Sequence, residues 1–320
     1  MTRYARQMIL PQIGPAGQAR LTAAHVLVVG AGGLGVPVLQ YLVGAGLGRI
    51  TLLDGDRIAT HNLHRQPLYR MDQLGQFKAK AATEALAALN PEVTITPVTA
   101  WLDPANAPAL VAAADLVMDC ADTFAASLTL SDACMAAGKP LIAASALAMS
   151  GYAGGFCGGA PSLRALFPDL PDRGATCDTA GVMGPVVATI GALQAQMGLS
   201  ALLGLTPSPL GQLISFDAGR WRFGGFRFDA APEPAQAIPF IAPSQITPAD
   251  LIIDLRTEEP APFRADALHV RPDPGFIPPP GTSRVILACR TGLRAHHAGC
   301  ALQSRWKGRI ALLAVPPTDP

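Results

Sequence analysis

His25-Val26-Leu27-Val28-Val29-Gly30-Ala31-Gly32-Gly33-Leu34-Gly35 is the stretch on which the fold turns. The short run from His25 to Val29, apolar and β-branched, reads as a buried parallel strand. Glycines follow at once, and a helix-like stretch continues to Ala45. A strand, a glycine turn and a helix in that order meet the structural condition for a dinucleotide-type fingerprint. Gly30, Gly32, Gly33 and Gly35 permit the tight turn and let a phosphate approach the backbone. The helix start offers free N–H groups and a favourable dipole. The next strand, Arg49 to Asp54, ends in acid, so Asp54 stands where a carboxylate can accept hydrogen bonds from ribose hydroxyls.

The same alternation extends in both directions. Lys78 to Leu89 and Leu128 to Ala137 read as helices; Val93–Ala100, Asp115–Asp119 and Pro140–Ser145 read as strands. This predicts an α/β fold, a Rossmann-like doubly wound and mostly parallel sheet with helices on both faces. Ahead of it lies a helical arm, Ala5 to Leu21, broken by Pro11, Gly14 and Pro15. After Ser150 the pattern changes. Gly151–Cys157 and Leu213–Phe228 suggest an antiparallel extension, with a turn at Asp217-Ala218-Gly219-Arg220. Between them come an irregular stretch, Gly158 to Thr179, and an apolar helix from about Val186 to Leu203. Asp229 to Pro243, rich in Pro and Ala, reads as a linker. Leu251–Leu255, Arg284–Cys289 and Arg309–Ala314 are strands of a small α/β unit. The expected division is thus 1–228, a linker at 229–243, and 244–320.

Composition narrows the class. The 320 residues are 50% hydrophobic and 15% charged, with a net charge of +1, which suits a well-buried enzyme and gives no electrostatic case for nucleic acid or a membrane surface. The start, Met1 to Gln7, lacks the features of a signal peptide, and no apolar run is long enough to span a bilayer without glycine, proline or charge. A cytoplasmic protein is expected. Six cysteines are scattered without a CxxC pair, which argues against a disulfide framework.

The groups after Asp54 bear on which nucleotide is held. A nicotinamide dinucleotide carries a pyrophosphate that the helix N-terminus nearly satisfies alone, whereas ATP usually needs cations and a metal. Asp56, Asn62, Arg65, Gln66 and Lys78 follow in order, and Asp122 lies just past the fourth strand at the carboxyl edge where ligands gather. A carboxylate aimed at triphosphate is most simply a Mg²⁺ ligand. Taken singly, each of these is more often a solvated surface residue. Together they favour ATP.

These residues carry a resemblance. Arg3-Tyr4-Ala5-Arg6-Gln7, the glycine loop, Leu52-Leu53-Asp54-Gly55-Asp56, Asn62-Leu63-His64-Arg65-Gln66, Gly75-Gln76-Phe77-Lys78, Asp119-Cys120-Ala121-Asp122 and Ala180-Gly181-Val182-Met183-Gly184-Pro185 together resemble the ubiquitin-activating-type adenylyltransferases of the MoeB and ThiF kind. The likeness covers roughly residues 1 to 228. It implies that Asp54 binds ribose, that Asn62, Arg65 and Lys78 hold phosphates, and that Asp122 holds Mg²⁺. It also implies that Arg6 reaches into the neighbouring ATP site of a homodimer. The implied partner is a small ubiquitin-like sulfur carrier ending in Gly-Gly, whose carboxylate attacks the α-phosphate on the way to molybdopterin or thiamin.

Three departures stand out. Relatives carry two CxxC pairs for a structural zinc, but the first falls here at Ser162-Leu163-Arg164-Ala165 and no cysteine follows near Phe223, so no zinc site is expected. The crossover stretch is then held by packing or left mobile. The family's Asp-Asn-x-x-x-Arg reads Asp122-Thr123-Phe124-Ala125-Ala126-Ser127, a loss worth about 1–3 kcal/mol if the arginine made a charge-assisted contact. Cys177 is retained, either as a thiol for sulfur or thioester chemistry or as a partly buried structural one. Cys120, Cys134, Cys157 and Cys300 read as structural thiols in apolar settings.

In the C-terminal unit, Cys289-Arg290-Thr291-Gly292-Leu293-Arg294 follows a strand and precedes a helix, a setting that favours thiolate or persulfide. The hexapeptide resembles a rhodanese active-site loop, which suggests persulfide carriage, with a cysteine desulfurase as a further partner. Two other readings stay open: a non-catalytic scaffold that holds nucleotide and carrier, and, from the glycine loop alone, a nicotinamide-dependent oxidoreductase.

Overall fold

The structure, a computed structural model, describes residues 3–170, 181–270 and 275–315. Its larger sheet has eight strands: β1 (His25–Val29), β2 (Arg49–Leu53), β3 (Thr94–Val98), β4 (Leu116–Asp119), β5 (Pro140–Leu147), β6 (Ser150–Cys157), β7 (Gln212–Asp217) and β8 (Arg222–Arg227). Their spatial order is β3-β2-β1-β4-β5-β6-β7-β8. The first five run parallel, and β6, β7 and β8 continue antiparallel, as the sequence pattern predicts. Strand order reverses between β1 and β4, so a crevice opens beyond their carboxyl ends, at Gly30 and Cys120.

Every residue of β1 is buried, because helices cover both faces. Val26 and Val28 point into a core shared with α3 (Gly35–Gly44) and α4 (Lys78–Leu89). Leu27 and Val29 point into a second core, shared with α5 (Ala107–Ala112) and α6 (Phe124–Ala137). The short helix α7 (Leu163–Leu166) and the long helix α8 (Gly184–Leu203) come next in the chain. By length and composition α8 could cross a membrane. Here it is a core helix, with Val186, Val187, Ile190, Ala195 and Met197 buried against the sheet and Gln194 inside it.

The N-terminal arm forms two helices, α1 (Ala5–Met8) and α2 (Gly14–Ala23). The break falls at residues 9–13. Pro15 begins the second helix instead of interrupting it, since a first-turn proline gives up an N–H that has no partner there.

The second sheet joins β9 (Asp250–Asp254), β10 (Leu268–His269), β11 (Arg284–Cys289) and β12 (Arg309–Ala314), all parallel, in the order β10-β9-β11-β12. Its helix α9 (Leu293–Gln303) contributes Leu293, Ala295 and Leu302 to the same core as Leu128 and Leu163 of the larger unit. The segment before it is tied down as well: Ile241 N–H donates to Leu312 O and Leu312 N–H to Pro239 O, both fixing the chain along β12.

Candidate active site

Gly30 adopts a φ of +99°, and a Cβ there would stand 2.5 Å from the carbonyl oxygen of Cys120. Glycine is therefore required where the ends of β1 and β4 approach. A Cβ on Gly35 would strike the Gly30 carbonyl, so the turn into α3 closes only without side chains. A Cβ on Gly33 would press on Val187, which places the start of α8 against the loop, and one on Gly184 would stand 2.6 Å from His64 O. The loop, the 62–66 turn and the N-terminus of α8 thus form one packed unit.

Asp54 accepts from Ala31 N–H (2.6 Å) through one oxygen and from Asp56 N–H (2.7 Å) through the other. Burial pushes its carboxyl above the ordinary range, and the Lys78 charge and the two amides oppose that rise. Lys78 is 5% exposed, and its ammonium is ion-paired with Asp56, which is itself half-exposed. Tyr69 Oη donates to Ala31 O at 2.7 Å and braces the loop from behind. The amide nitrogen of Gln66 lies 3.6 Å from where a Gly32 Cβ would stand, so it faces the glycine loop. Asn62 Oδ1 and Gln66 Oε1 are buried without hydrogen-bond partners. Buried polar atoms are rarely left so; both are acceptors, and the hydroxyls or amino group of a nucleotide, or a cation, would supply the missing donor. Arg65 donates to His61 O at 3.0 Å, which keeps its guanidinium on the same turn.

Asp122 is exposed just beyond β4, ahead of α6, whose N-cap Thr123 accepts from Ala126 N–H. Ser127, where the family places arginine, faces the fully buried Asp119 from the first turn of α6. A guanidinium there would hold that carboxyl low. With a hydroxyl instead, burial pushes Asp119 up to about 6, offset in part by Ser127 and the Ala121 amide and reinforced by Asp122. Asp119 Oδ2 has no hydrogen-bond partner.

The folded carboxyl titrates above its unfolded value, so folding takes up a proton between about pH 4 and 6. The penalty for ionising it is absent below that window and full above it. In metal-free protein, Asp119→Asn is expected to gain up to about 3 kcal/mol at pH 7 and almost nothing at pH 4. Urea unfolding at the two pH values checks this, and an equal gain at both would refute it.

Arg6 is exposed on α1. The arm is fastened at the far end of α3, where Gln7 Nε2 donates to Gln18 Oε1 (2.8 Å) and Ala45 O (3.0 Å), and Asn90 Nδ2 donates to Tyr4 Oη (2.8 Å). The glycine loop is at the other end of that helix, about 15 Å away by helical rise. Arg6 is therefore remote from the glycine loop of its own chain.

The described part of the crossover stretch, residues 158–170, is held by polar groups. Ser162 donates to Glu233 through both N–H (2.7 Å) and Oγ (2.6 Å). Arg164 grips Asp132 with two bonds (2.7 and 2.9 Å) and also donates to Ile238 O. These hydrogen bonds tie α7 to the segment after β8. Sequence reasoning missed them, because Glu233 lies 71 residues from Ser162. Cys177 and Ala180 lie outside the described residues.

Cys289 closes β11 and is 1% exposed, with Ala295 N–H donating to its sulfur at 3.4 Å. The loop after it leans on the larger unit: Ala125 N–H donates to Thr291 O (3.2 Å), and a Cβ on Gly292 would meet Phe240 and Ala125. Burial pushes the thiols of Cys120, Cys134 and Cys157 up, as befits structural cysteines. Cys300 corrects its expected apolar setting: it is exposed on α9, with its sulfur 3.8 Å from the ring nitrogens of His296. The helical spacing of residues 296 and 300 puts both on one face. All five described cysteines are unpaired.

A glycine turn at a topological switch point, edged by Asp54, Gln66, Lys78 and Asp122, defines a nucleotide-binding α/β protein. The chain belongs to the ThiF family, which matches residues 4–236. It is 43% identical over 226 residues to the sulfur carrier protein adenylyltransferase of Thermus thermophilus, covering 68% of this chain and 83% of that protein. It is 45% identical over 224 residues to the adenylyltransferase and sulfurtransferase MOCS3 of Bos taurus, covering 69% of this chain and 49% of that one, so it spans about half the length of that relative. Among solved structures, Escherichia coli MccB with ATP shares the fold, with a TM-score of 0.64 and 23% identity over 73% of this chain and 74% of that one.

Proposed function

We propose that this chain is an ATP-dependent adenylyltransferase that activates the C-terminal glycine of a small ubiquitin-like sulfur carrier, for sulfur transfer in molybdopterin or thiamin biosynthesis. The observation that carries it is the convergence of Asp54, Gln66 and Lys78 on one glycine loop, in a chain so close to a sulfur carrier protein adenylyltransferase. Asp54 holds the ribose, while Gln66, Asn62, Arg65 and Lys78 donate to the phosphates. Asp56 now shares the Lys78 ammonium and gives up part of it to them. Asp122 would hold Mg²⁺, which when bound draws negative charge off the α-phosphate. The site aligns the carrier carboxylate with phosphorus, and cations spread the developing charge. No protein nucleophile is required for this step.

Arg6 is remote from its own glycine loop, which favours a homodimer in which it completes the partner site. The edge strand β8 is exposed throughout, and exposed Trp221 and Phe223 at its start give an apolar surface that suits the body of a carrier, with Phe226 on the opposite face of the sheet. The readings as scaffold or oxidoreductase fit less well, since the cationic groups gather where a triphosphate would sit. A cytoplasmic setting and the absence of zinc belong to the same proposal.

Cys289 carries persulfide in a second step, supplied by a donor such as a cysteine desulfurase. The chain is expected to catalyse ATP–pyrophosphate exchange only when a Gly-Gly-ended carrier is added. Cys289→Ala should leave that exchange intact and abolish persulfide on the C-terminal unit, as read by mass spectrometry. Exchange without a carrier would overturn the first assignment. Sulfur that appears on Cys177 and never on Cys289 would overturn the second.

A further inference from the structure

Two acidic residues stand on the two arginines that flank Cys289. Arg294 donates to Glu258 through both terminal nitrogens (2.7 Å for Nη1) and to Leu255 O at 3.1 Å. Arg290 donates to Glu259 at 2.7 Å. The loop that carries both glutamates is rooted in the sheet. Buried Asp254 takes three bonds from Arg256, one of them from its backbone N–H, and one from Phe263 N–H, and Glu259 N–H donates to Arg256 O. The carboxylates are therefore presented by a fixed turn. Arg294 lies near enough to Cys289 and Asp254 to feel their charge. All four members of the two pairs keep access to solvent, so an incoming ion meets them directly.

An anionic sulfur donor such as thiosulfate needs cations beside the thiol. Arginine binds oxyanions through the same fork that binds carboxylate, so one occupant excludes the other. We propose that Glu258 and Glu259 are specificity-determining residues. They fill the anion positions on Arg294 and Arg290, so that Cys289 takes sulfur from persulfide donors of low charge in preference to dianionic thiosulfate. The inference rests on the reading of Cys289 as the sulfur carrier. In the transfer, the Cys289 thiolate attacks the outer sulfur of R–S–SH. The new S–S bond forms as the donor S–S bond breaks, the donor leaves as its thiolate with the bonding pair, and the outer sulfur keeps its proton. No external oxidant or reductant enters.

The test compares iodoacetate with iodoacetamide on the native chain at low ionic strength, with the Cys289 peptide quantified by mass spectrometry. The two reagents are nearly equal in size and differ in charge, so steric access cancels in their rate ratio. In Glu258→Gln/Glu259→Gln the iodoacetate-to-iodoacetamide ratio should rise about fivefold or more. That rise should shrink in about 1 M salt. The double variant should also gain thiosulfate-dependent persulfide, while its rate with the persulfide of 2-mercaptoethanol, whose body is uncharged, stays unchanged. Parallel acceleration by both reagents would mean that the glutamates only shut the loop, and it overturns the proposal. So does an unchanged ratio, or no labelling of Cys289 in either protein. If the ratio shifts as expected but neither donor ever leaves sulfur on Cys289, the sulfur-carrier reading fails and the electrostatic effect stands.

Discussion

Asp122→Ala is expected to lower carrier-dependent ATP–pyrophosphate exchange by about 10²- to 10³-fold. The side chain is exposed just past β4, at the carboxyl edge where the strand order reverses, and it is one turn of loop from the glycine turn that β1 feeds. A carboxylate in that place has its largest effect when charge builds on the α-phosphate, which is a transition-state effect. The variant should therefore lose rate more than ATP affinity, and its Mg²⁺ requirement should move to higher concentration. Exchange, ATP binding and urea unfolding measured on the same preparation separate these effects. Vigorous exchange by the variant would remove Asp122 from the reaction.

Much of this arrangement is legible in the sequence, for physical reasons that differ by element. β1 and β11 are readable because strands buried on both faces must be continuous apolar runs, β1 leading into the glycine turn and β11 ending at Cys289. α4 begins at Lys78, directly after the Gly75–Phe77 turn. The short helices α5 and α7 escape notice because six and four residues are too few to show a helical period. Pro15 reads as a breaker in the sequence, yet it occupies the first turn of α2, where proline is favoured. What no local pattern discloses is pairing at long range. Ser162 with Glu233, Arg164 with Asp132, and the two glutamates on the Cys289 loop are each ordinary surface residues until the fold brings them together. The pairing of Lys78 with Asp56 is of the same kind: the sequence points to both as site residues, but their contact depends on how the β2–α4 segment folds back.

Gln194 is the clearest residue that the sequence hides, and its loss should be the costliest for the fold. It sits inside an apolar helix, where the run Val186 to Leu203 invites reading only its hydrophobic members. In the structure it is fully buried. Its Nε2 donates to Asp119 O (2.7 Å) and Ile142 O (3.0 Å), and its Oε1 accepts from Cys120 Sγ at 3.5 Å. One amide thus joins the ends of β4 and β5 just before the chain turns toward Asp122. Gln194→Leu keeps the volume but removes a side-chain donor from each of two buried carbonyls, at about 1–1.5 kcal/mol each. The expected loss is about 2–3 kcal/mol, a large part of the stability of a marginal protein. Cys120→Ala, which removes only the weak sulfur contact and a small volume, should cost far less. The comparison distinguishes the amide donor from the packing around it. At temperatures where Gln194→Leu remains folded, exchange should still be reduced, because the Cys120–Asp122 turn loses the anchor that sets its position over the glycine loop. Urea midpoints and exchange rates for the two variants decide the matter. A leucine variant within about 1 kcal/mol of the parent, with full exchange, would show that backbone pairing alone holds the β4–β5 edge.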